Sequence, residues 1–530
     1  MSAFTISIDG REIEVAAGET ILQAARRIGL EIPTLCHLEK CGPLTSCLVC
    51  LVKVVANGQG RLVPSCATRA APGMVIESET EEVHEARRTA LELLFSDHVG
   101  DCLSPCQRLC PLQLNIPAMF RQIQAGRLDG AVGIMRQALP LAGALGRLCH
   151  HPCEQGCRRG AFDEPAAVRE MERMLTEHEL KNDGKEAGAR QPERSAASGS
   201  SVAVVGAGPC GLTAAHDLAR RGHAVTVIDR NAKPGGTLRG VPERDLPAAM
   251  LDAEIALLAG MGIEFKTGIE LGNQVTLDGL RREFDAVLIA VGELAKGEGE
   301  RIGLPAAGGA LKADPATCLL SAPGVFAAGA GVKTVKQLVR AMAEGRAAAE
   351  CVDRFLRGRL PRRPEKPFSS IMGRLEAGEL REMLRTASPE HGVTPCDRCA
   401  GLTGGEAARE AARCLHCDCR SSGNCLLQHY AQVYGADASR FRSERRPFEQ
   451  QLQPGGVIFE PGKCILCGIC VKLTELAAEP LGLTLIGRGF DVKVAGPFNR
   501  SIEEGLGAVA AECVRHCPTG ALAFGEKAKG

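Results

Sequence analysis

The sequence predicts a multidomain protein that combines α+β domains with one α/β domain. Its 530 residues are enough for roughly three or four domains. Its 25 cysteines, against no tryptophan and two tyrosines, bunch at gaps of two and three residues. Residues 201–230, "SVAVVGAGPCGLTAAHDLARRGHAVTVIDR", have the pattern of a strand, a glycine turn, a helix and a second strand. Close thiols in so long a chain indicate metal ligands rather than disulfide bonds.

Charge and hydropathy exclude several classes of function. Lys plus Arg equals Asp plus Glu at 63 each, so nothing favours a nucleic-acid or anionic-membrane surface. The basic run "FLRGRLPRRPEKPF" has no interleaved aromatic residues and is typical of a solvated linker. The sequence shows no apolar run of membrane-spanning length, and "MSAFTISIDG" has no features of a signal peptide. We expect a cytoplasmic protein with protein or small-molecule partners.

Turn signals and composition divide the chain into segments. The predicted segments are 1–80 (α+β, with a hairpin at Asp9-Gly10 and a helix from near Thr20 to Gly29), 81–180 (mostly helical), 181–200 (polar linker), 201–355 (nucleotide-binding βαβ domain), 356–395 (linker), 396–435 (cysteine-rich) and 436–530 (cysteine-rich, α+β).

The first thiol group consists of Cys36, Cys47, Cys50 and Cys66. A close pair plus two distant thiolates suits a 2Fe-2S cluster, which four thiolates complete. The spacing C-x10-C-x2-C with a distant fourth cysteine resembles the N-terminal domain of the large iron-sulfur subunit of complex I and its relatives in hydrogenases and formate dehydrogenases. That resemblance implies a β-grasp 2Fe-2S ferredoxin domain. Cys41 is treated as a spare.

The second group opens with "SDHVGDCLSPCQRLCPLQL", where His98, Cys102, Cys106 and Cys110 stand four apart. His98-x3-Cys102 resembles the histidine-ligated 4Fe-4S site of the complex I family, which continues C-x2-C-x5-C. From Cys106 onward, the chain resembles the small subunit of glutamate synthase and the N-terminal domain of dihydropyrimidine dehydrogenase. "LCHHPCEQGCRRGAF" supports this second resemblance, which implies a helical domain with two 4Fe-4S clusters and one non-cysteine ligand.

The number of ligands supports a combination of the two patterns. Two 4Fe-4S clusters need eight ligands, and the cysteines of this region supply six. His98 can supply one ligand, and Glu172 stands where the second family places its non-cysteine ligand. The predicted sets are His98, Cys102, Cys106 and Cys157 for one cluster, and Cys110, Cys149, Cys153 and Glu172 for the other. The cross-pairing is implied by the family and is open to permutation. The alternatives are a surface histidine at 98 and a solvated helix face at 172. A neutral imidazole ligand would raise the reduction potential of its cluster.

A third group lies in "EAARCLHCDCRSSGNCLL" and contains Cys414, Cys417, Cys419 and Cys425. Four thiolates within twelve residues suit one 4Fe-4S cluster or a tetrahedral zinc site. We favour the cluster, because the neighbouring modules are redox-active. Cys396 and Cys399 form a C-x2-C pair nearby with no evident second pair, so they are alternates or spares.

The fourth group is Cys464, Cys467 and Cys470, with Cys517 before Pro518. A two-cluster ferredoxin repeats C-x2-C-x2-C-x3-C-Pro, with each fourth cysteine bound to the other cluster. Thr474 stands at one crossing position, and Cys513 is the remnant of the second triplet, so one cluster is lost. The segment, with "RGFDVKVAGPFN", resembles the 4Fe-4S ferredoxin-like domain of complex I and hydrogenases.

The glycine fingerprint consists of Gly206, Gly208 and Gly211 between a predicted strand and helix, and Asp229 ends the next strand. The glycines let the backbone approach a pyrophosphate at the helix N-terminus, and Asp229 can bind ribose hydroxyls. The alternative is a nucleotide fold kept without its ligand.

Further motifs resemble the Rossmann-like FAD domain of the glutamate synthase small subunit. They are "PGGTLRGVPERDLP", which contains Gly235 and Gly236, "FDAVLIAVG", and "SAPGVFAAGAGVKTVKQLVRAMAEGRAAA", which contains Gly329. That family inserts an NADPH-binding domain between the last two motifs, whereas here only residues 293–320 separate Gly292 from Ser321. A nucleotide-binding domain needs on the order of 100 residues, so the NADPH domain is absent. Ala330 also replaces the aspartate with which that family binds the flavin ribitol.

These features predict an electron-transfer subunit with one 2Fe-2S cluster, about four 4Fe-4S clusters and FAD. No catalytic residue for an organic substrate is evident. The expected partner holds the substrate site and is a hydrogenase, a molybdenum or tungsten enzyme, or an NAD(P)H-oxidising flavoprotein. The alternatives are a self-sufficient NAD(P)H-dependent oxidoreductase and a structural scaffold with a vestigial flavin site.

Overall fold

The computed structural model describes residues 3–56, 58–181, 194–295, 297–304, 306–307, 309–396, 401–421, 423–442 and 445–525. The chain forms two compact units. Unit 1 contains residues 1–104, 367–386 and 417–530, and unit 2 contains residues 105–366 and 387–416. The chain therefore leaves unit 1 after Ser104 and returns to it twice, so one division falls inside the predicted segment 81–180. Most of the predicted linker 181–200, together with Cys399, lies outside the described residues.

The strands in chain order are β1 (Ala3–Ile8), β2 (Arg11–Ala16), β3 (His37–Leu38), β4 (Gly42–Pro43), β5 (Leu51–Ala56), β6 (Gln59–Pro64), β7 (Val75–Glu77), β8 (Ser201–Val205), β9 (Ala224–Asp229), β10 (Glu264–Thr267), β11 (Ala286–Ile289), β12 (Ala306–Ala307), β13 (Ala310–Leu311), β14 (Val325–Ala327), β15 (Gln451–Leu452), β16 (Val457–Phe459), β17 (Thr484–Ile486), β18 (Lys493–Ala495) and β19 (Leu522–Phe524).

The α-helices are α1 (Ile21–Arg27), α2 (Glu81–Leu94), α3 (Pro105–Leu109), α4 (Ile116–Gln124), α5 (Leu128–Ala138), α6 (Ala142–Leu148), α7 (Pro152–Gln155), α8 (Val168–Lys181), α9 (Pro209–Arg220), α10 (Ala248–Gly260), α11 (Leu277–Glu283), α12 (Glu298–Arg301), α13 (Leu338–Leu356), α14 (Ala377–Leu384), α15 (Gly404–Ala411), α16 (Leu426–Val433), α17 (Ile469–Leu476), α18 (Ile502–Leu506) and α19 (Ala510–His516). No helix in the described part of the chain has the length and apolar character needed to cross a membrane.

The N-terminal part of unit 1 is a five-stranded sheet of order β2-β1-β7-β5-β6 with α1. As predicted, β1 and β2 pair antiparallel across Asp9-Gly10, where both residues have positive φ. The Thr20 side chain caps α1 by accepting from the Gln23 N–H at 3.2 Å. Ile6, Ile8 and Leu22 are fully or almost fully buried in its core, which fixes the loops that carry the first thiol group.

The C-terminal part of unit 1 is small and held by short elements. Its sheet has the order β15-β16-β19, and β17 and β18 form a separate antiparallel pair. Leu473 and Leu506, on α17 and α18, are buried in one core with Phe459 and Leu522. The cysteine loops run between these elements, so short helices and strands position the thiols.

Unit 2 combines a helical part, α3 to α8, with a five-stranded parallel sheet of order β10-β9-β8-β11-β14. The near-continuous apolar strands, such as "VAVV" in β8, are buried as expected of a parallel sheet covered on both faces. Among its described residues, the remaining sheet is the two-residue pair β12-β13. The segment 293–320 holds that pair and the four-residue α12.

Candidate metal centres and nucleotide site

The first thiol group is buried between the sheet and its loops. Cys36, Cys47, Cys50 and Cys66 are each 4% exposed or less. The Cys47 thiol lies within hydrogen-bond reach of Cys36 and lowers its pKa to about 5, and the Cys66 thiol likewise lowers the pKa of Cys50 to about 7. In each pair the shared hydrogen bond also raises the pKa of the donor thiol, Cys47 or Cys66, so each pair by itself favours one anion and a bound cation would favour the second. Cys41 lies near the charges of Lys40 and Glu512 rather than in this set.

A small buried cavity in unit 1 brings His98 together with Cys102, Cys419 and Cys425. The Cys419 N–H donates to the Cys102 carbonyl at 3.4 Å, so the two cysteine segments meet directly. Residues 103–418 separate them along the chain. The cavity thus brings together four potential donors, which is the number that one 4Fe-4S cluster takes.

This grouping differs from the sequence prediction. The prediction joined His98 and Cys102 to Cys106 and Cys157, which the structure places in unit 2. It also joined Cys419 and Cys425 to Cys414, another unit 2 residue. The difference arises because spacing along the chain cannot show that unit 1 is interrupted after Ser104.

Hydrogen bonds and packing fix the two sides of the His98 cavity. The Ser370 hydroxyl lies 3.3 Å from the Cys102 sulfur and donates to the Gly100 carbonyl at 2.7 Å. The Phe95 ring, just after α2, meets the His98 ring edge-on with centroids 5.4 Å apart. A Cβ at Gly520 would lie 2.4 Å from the Cys419 sulfur, so the absence of a side chain there makes room for the thiol.

The His98 donor set is electrostatically suited to a metal. Burial, with a contribution from Lys463, lowers the pKa of His98 to about 3, which keeps the imidazole neutral. Neutral imidazole is the form that binds metals. Burial raises the pKa of Cys425 to about 12, so this thiol gains most from a bound cation that stabilises its anion.

In unit 2, Cys110, Cys149, Cys153 and Glu172 lie close enough to influence one another's pKa values. Burial raises the pKa of Glu172 to about 8, and the nearby Glu154 adds to the shift. Glu172 is carried by α8, which packs against α6 just before Cys149; a Cβ at Gly146 would lie 3.4 Å from the Glu172 Cβ. A buried carboxyl among three thiols is an unusual arrangement that a metal cluster would explain.

A second set in unit 2 is organised by two buried arginines. Arg159, two residues after Cys157, donates to the Arg413 carbonyl at 3.3 Å, and Cys414 follows directly. Asp163 binds both arginines, at 2.6 Å to Arg159 Nε and 3.0 Å to Arg413 Nη2. Cys106, Cys157 and Cys414 are partly buried against the same apolar core. The network therefore holds Arg413, just after α15, against the turn that follows Cys157.

Three cysteine loops share one backbone feature. The residue two positions after Cys149, Cys414 and Cys464 has a positive φ, at His151 (51°), His416 (46°) and Leu466 (53°). The His151 and His416 N–H groups each donate to the preceding cysteine sulfur at 3.4 Å. Strained loops that aim N–H groups at sulfur are suited to hold thiolates.

The C-terminal thiols line one cavity together. They are Cys464, Cys467, Cys470 and Cys517, with Cys513 also on its wall. Thr474 is buried, and its hydroxyl donates to the Val471 carbonyl at 2.9 Å and accepts from the Leu483 N–H at 3.0 Å. Its role is therefore structural. Cys396 is exposed and contacts Glu406, and Cys399 lies outside the described residues.

The glycine fingerprint opens onto a cavity of about 870 Å³. Its walls include Gly206, Gly208, Asp229, Gly236 and Ala330. A Cβ at Gly206 would lie 2.3 Å from the Ala290 carbonyl oxygen, and one at Gly211 would lie 1.9 Å from the Gly206 carbonyl oxygen. A Cβ at Gly208 meets nothing within 4 Å, so Gly208 leaves space at the N-terminus of α9 where a pyrophosphate fits.

Asp229, which was expected to bind ribose hydroxyls, has other partners in this structure. Asp229 accepts from the Ala207 N–H at 2.6 Å and from the Asn231 N–H at 2.7 Å, so both carboxylate oxygens already bind backbone. Gly235 has a φ of 130°, and Gly329 packs against Cys210, where a Cβ would lie 3.0 Å from the sulfur. Ala330 lines the cavity and offers it no hydrogen-bonding side chain.

The pairing of His98 with Cys419 and Cys425 is the part of the site that sequence reasoning missed. One signal was present: Cys419-x5-Cys425 has the final spacing of the complex I-type motif that begins at His98-x3-Cys102. The Arg159 and Arg413 network left no comparable signal in the sequence.

Three family models match successive parts of the chain. Residues 2–81 match the 2Fe-2S iron-sulfur cluster binding domain. Residues 77–184 match dihydropyrimidine dehydrogenase domain II, a 4Fe-4S cluster domain. Residues 167–345 match the pyridine nucleotide-disulphide oxidoreductase domain. The chain thus contains iron-sulfur domains of both kinds and a domain of the flavin and nicotinamide nucleotide oxidoreductase class, which confirms the expected resemblances.

Curated relatives agree with these matches. The chain is 36% identical over 258 residues to the beta subunit of NADP(+)-dependent formate dehydrogenase of Moorella thermoacetica, covering 45% of this chain and 36% of that one. It is 35% identical over 214 residues to the PreT subunit of NAD-dependent dihydropyrimidine dehydrogenase of Escherichia coli K12 (39% and 50%). It is 35% identical over 197 residues to the glutamate synthase [NADPH] small chain of Mycobacterium tuberculosis (37% and 40%). The chain spans half or less of the length of each.

Proposed function

We propose that this chain is an iron-sulfur flavoprotein subunit that relays electrons within a larger oxidoreductase complex. The observation that carries the proposal is the gathering of His98, Cys102, Cys419 and Cys425 in one buried cavity. Four further thiol groups and a nucleotide cavity of about 870 Å³ accompany it in the same chain. Relatives named as subunits of formate and dihydropyrimidine dehydrogenases support the assignment to a complex.

We assign the ligands to one 2Fe-2S cluster and four 4Fe-4S clusters. The sets are Cys36, Cys47, Cys50 and Cys66 (2Fe-2S); His98, Cys102, Cys419 and Cys425; Cys110, Cys149, Cys153 and Glu172; Cys464, Cys467, Cys470 and Cys517; and Cys106, Cys157 and Cys414. Cys417 is a residue of unit 1 and is not assigned to the last set, whose three cysteines belong to unit 2. The sub-folds we assign to these domains are a β-grasp ferredoxin, a helical double-cluster domain and a C-terminal ferredoxin-like domain.

FAD is the nucleotide that we assign to the cavity of unit 2. When bound, iron-sulfur clusters carry single electrons, and a flavin exchanges both one and two electrons. The protein's part is to bind and orient these groups: Gly206, Gly208 and Gly211 give the backbone access to a pyrophosphate, and burial of the thiols excludes water. Gly236 lines the same cavity, and Gly235 and Gly329 directly precede the lining residues Gly236 and Ala330.

Chemical analysis of the chain purified anaerobically tests this assignment. We expect 18 iron atoms per chain, since one 2Fe-2S cluster holds two and four 4Fe-4S clusters hold about sixteen in all. We also expect one FAD. Electron paramagnetic resonance of the reduced protein should show one 2Fe-2S signal and several 4Fe-4S signals. Zinc in place of iron, or about two irons only, would contradict the proposal.

The partner that we propose holds the substrate site and is a hydrogenase, a molybdenum or tungsten enzyme, or an NAD(P)H-oxidising flavoprotein. The short segment 293–320, with α12 and β12-β13, supports dependence on a partner for nicotinamide chemistry. Co-purification of the native complex and identification of its subunits by mass spectrometry tests this. Isolation of the chain as a stable, active enzyme on its own would contradict it.

A vestigial flavin site is the second candidate, favoured by two contacts. Both oxygens of Asp229 bind backbone N–H groups, and Ala330 offers no acceptor for a ribitol hydroxyl. Acid extraction of freshly purified protein distinguishes the two. Release of about one FAD per chain supports the flavin relay, and absence of flavin supports an iron-sulfur scaffold.

A further inference from the structure

The segment Gly462-Lys463-Cys464 serves two cavities of unit 1. The Lys463 side chain lines the cavity of His98, Cys102, Cys419 and Cys425. The next residue, Cys464, lines the cavity of the C-terminal thiols. A buried cation thus lies on the wall of one candidate cluster site, directly beside a ligand of another.

The Lys463 side chain is fixed by its surroundings. It is 4% exposed and forms an ion pair with Glu460, which is 5% exposed and also accepts from Gln450 Nε2 at 3.1 Å. A Cβ at Gly100, between His98 and Cys102, would lie 2.8 Å from Lys463 Cε, so the aliphatic chain of the lysine packs against that turn. The lysine therefore has little freedom to leave the cavity wall.

The backbone on both sides of Lys463 is held as well. The Val99 N–H donates to the Gly462 carbonyl at 2.7 Å, which ties the segment to the residue after His98. The Thr519 hydroxyl donates to the Lys463 carbonyl at 2.9 Å. These bonds hold the backbone at residues 462 and 463 without involving the charge of the Lys463 side chain.

Two charged side chains belong to residues of the cavity wall, Lys463 and Asp101, whereas Glu460, the partner of Lys463, is not among the described residues that line it. Asp101 accepts from the Met372 N–H at 3.2 Å, and the charge of Lys463 is close enough to His98 to contribute to the lowered pKa of that imidazole. A fixed charge acts strongly where water is excluded, because the local dielectric is low. One added electron makes a cluster more negative, so a nearby cation stabilises the reduced form.

We propose that Lys463 sets the reduction potential of the cluster bound by His98, Cys102, Cys419 and Cys425, and raises it above that of an otherwise identical site without the cation. The inference rests on the proposed function, since it takes that ligand set as given. His98 and Lys463 then act in the same sense, because the neutral imidazole removes one negative charge and the lysine adds one positive charge. Both effects favour the reduced form of the His98 cluster.

The test is a redox titration of the full chain, followed by electron paramagnetic resonance. The His98 cluster signal is first identified in the wild type as the one lost in Cys419→Ser. Lys463→Met removes the cation, and Lys463→Arg keeps it as the matched control. The double variant Glu460→Gln/Lys463→Met replaces the ion pair by a neutral pair, so that no unpaired carboxylate destabilises the fold.

We expect Lys463→Met and the double variant to lower the midpoint potential of the His98 signal by about 59 mV or more. This shift corresponds to a tenfold change in the equilibrium constant for one-electron reduction. Lys463→Arg should restore most of the shift, and the 2Fe-2S signal should not move. Any shift of the Cys464 cluster should be smaller. The inference is overturned if the folded variants show an unchanged midpoint potential for the His98 cluster. It is also overturned if both variants that carry Lys463→Met lose the cluster while Lys463→Arg retains it. Absence of a Cys419-dependent signal from the wild type would instead contradict the proposed function.

Discussion

His98 and Cys419 test the ligand sets at the scale of single residues. Both line the same buried cavity, so His98→Ala and Cys419→Ser should remove the same 4Fe-4S signal in electron paramagnetic resonance. Cys396→Ser is the control, because Cys396 is exposed and should leave every signal intact. Loss of different clusters in the two variants would restore the grouping predicted from sequence spacing.

His98 also tests what its ring contributes beyond binding. His98→Cys replaces a neutral ligand by a thiolate and adds one negative charge to the site. The cluster should be retained, since the ligand count is unchanged, and its potential should fall. A titration by electron paramagnetic resonance measures the fall, and an equal or higher potential would show that the ligand charge does not set it.

Gly208 tests the nucleotide site with the smallest possible change. A Cβ there meets no protein atom within 4 Å and the backbone φ is −80°, so Gly208→Ala should fold normally. The added methyl group points into the space that a pyrophosphate needs, and we expect at least a tenfold loss of FAD affinity, about 1.4 kcal/mol. Gly133→Ala, also open to 4 Å, is the matched control and should bind FAD normally. Equal FAD affinity in both variants would place the flavin elsewhere.

Arg136 tests how the helices of unit 2 are joined. It lies on α5, is 5% exposed, and binds Glu179 of α8 at 2.7 Å and Glu254 of α10 at 3.0 Å. Arg136→Met leaves buried carboxylates without their cation and should cost about 3–5 kcal/mol. Arg147→Met breaks the more exposed pair with Glu177 and should cost about 1 kcal/mol or less. Apparent urea midpoints measure both, and equal losses would show that the buried network does not join these helices.

At the scale of elements, local sequence signals predicted strands, turns and helices more fully than cysteine spacing predicted ligand sets. The Asp9-Gly10 hairpin, the helix capped by Thr20, and the strand and helix around Gly206 form as the sequence indicates. The meeting of the two buried arginines near Cys157 and Cys414 was not predictable, because Arg159 and Arg413 are 254 residues apart in sequence. Burial of a charged side chain depends on contacts that a local pattern does not contain.

At the scale of the whole molecule, the order of the segments along the chain separates His98 and Cys102 from Cys419 and Cys425, which share one cavity. Residues of unit 1 are separated by residues 105–366 and 387–416, so motifs that belong together stand far apart in sequence. Groups of cysteines could be identified by their spacing along the chain. Their division among clusters depends on where the chain re-enters unit 1, which spacing does not show. That division stays a prediction, which the paired losses at His98 and Cys419 are designed to test.

The central claim is that the chain relays electrons and does not itself accept hydride from a nicotinamide nucleotide. Anaerobic rapid mixing of the purified, FAD-loaded chain with NADH or NADPH tests it most directly, with flavin and cluster absorbance followed over seconds. We expect bleaching by dithionite and none by either nucleotide, because the segment 293–320 is too short for a nucleotide-binding domain. Rapid bleaching of flavin and clusters by NADH or NADPH alone would contradict the account.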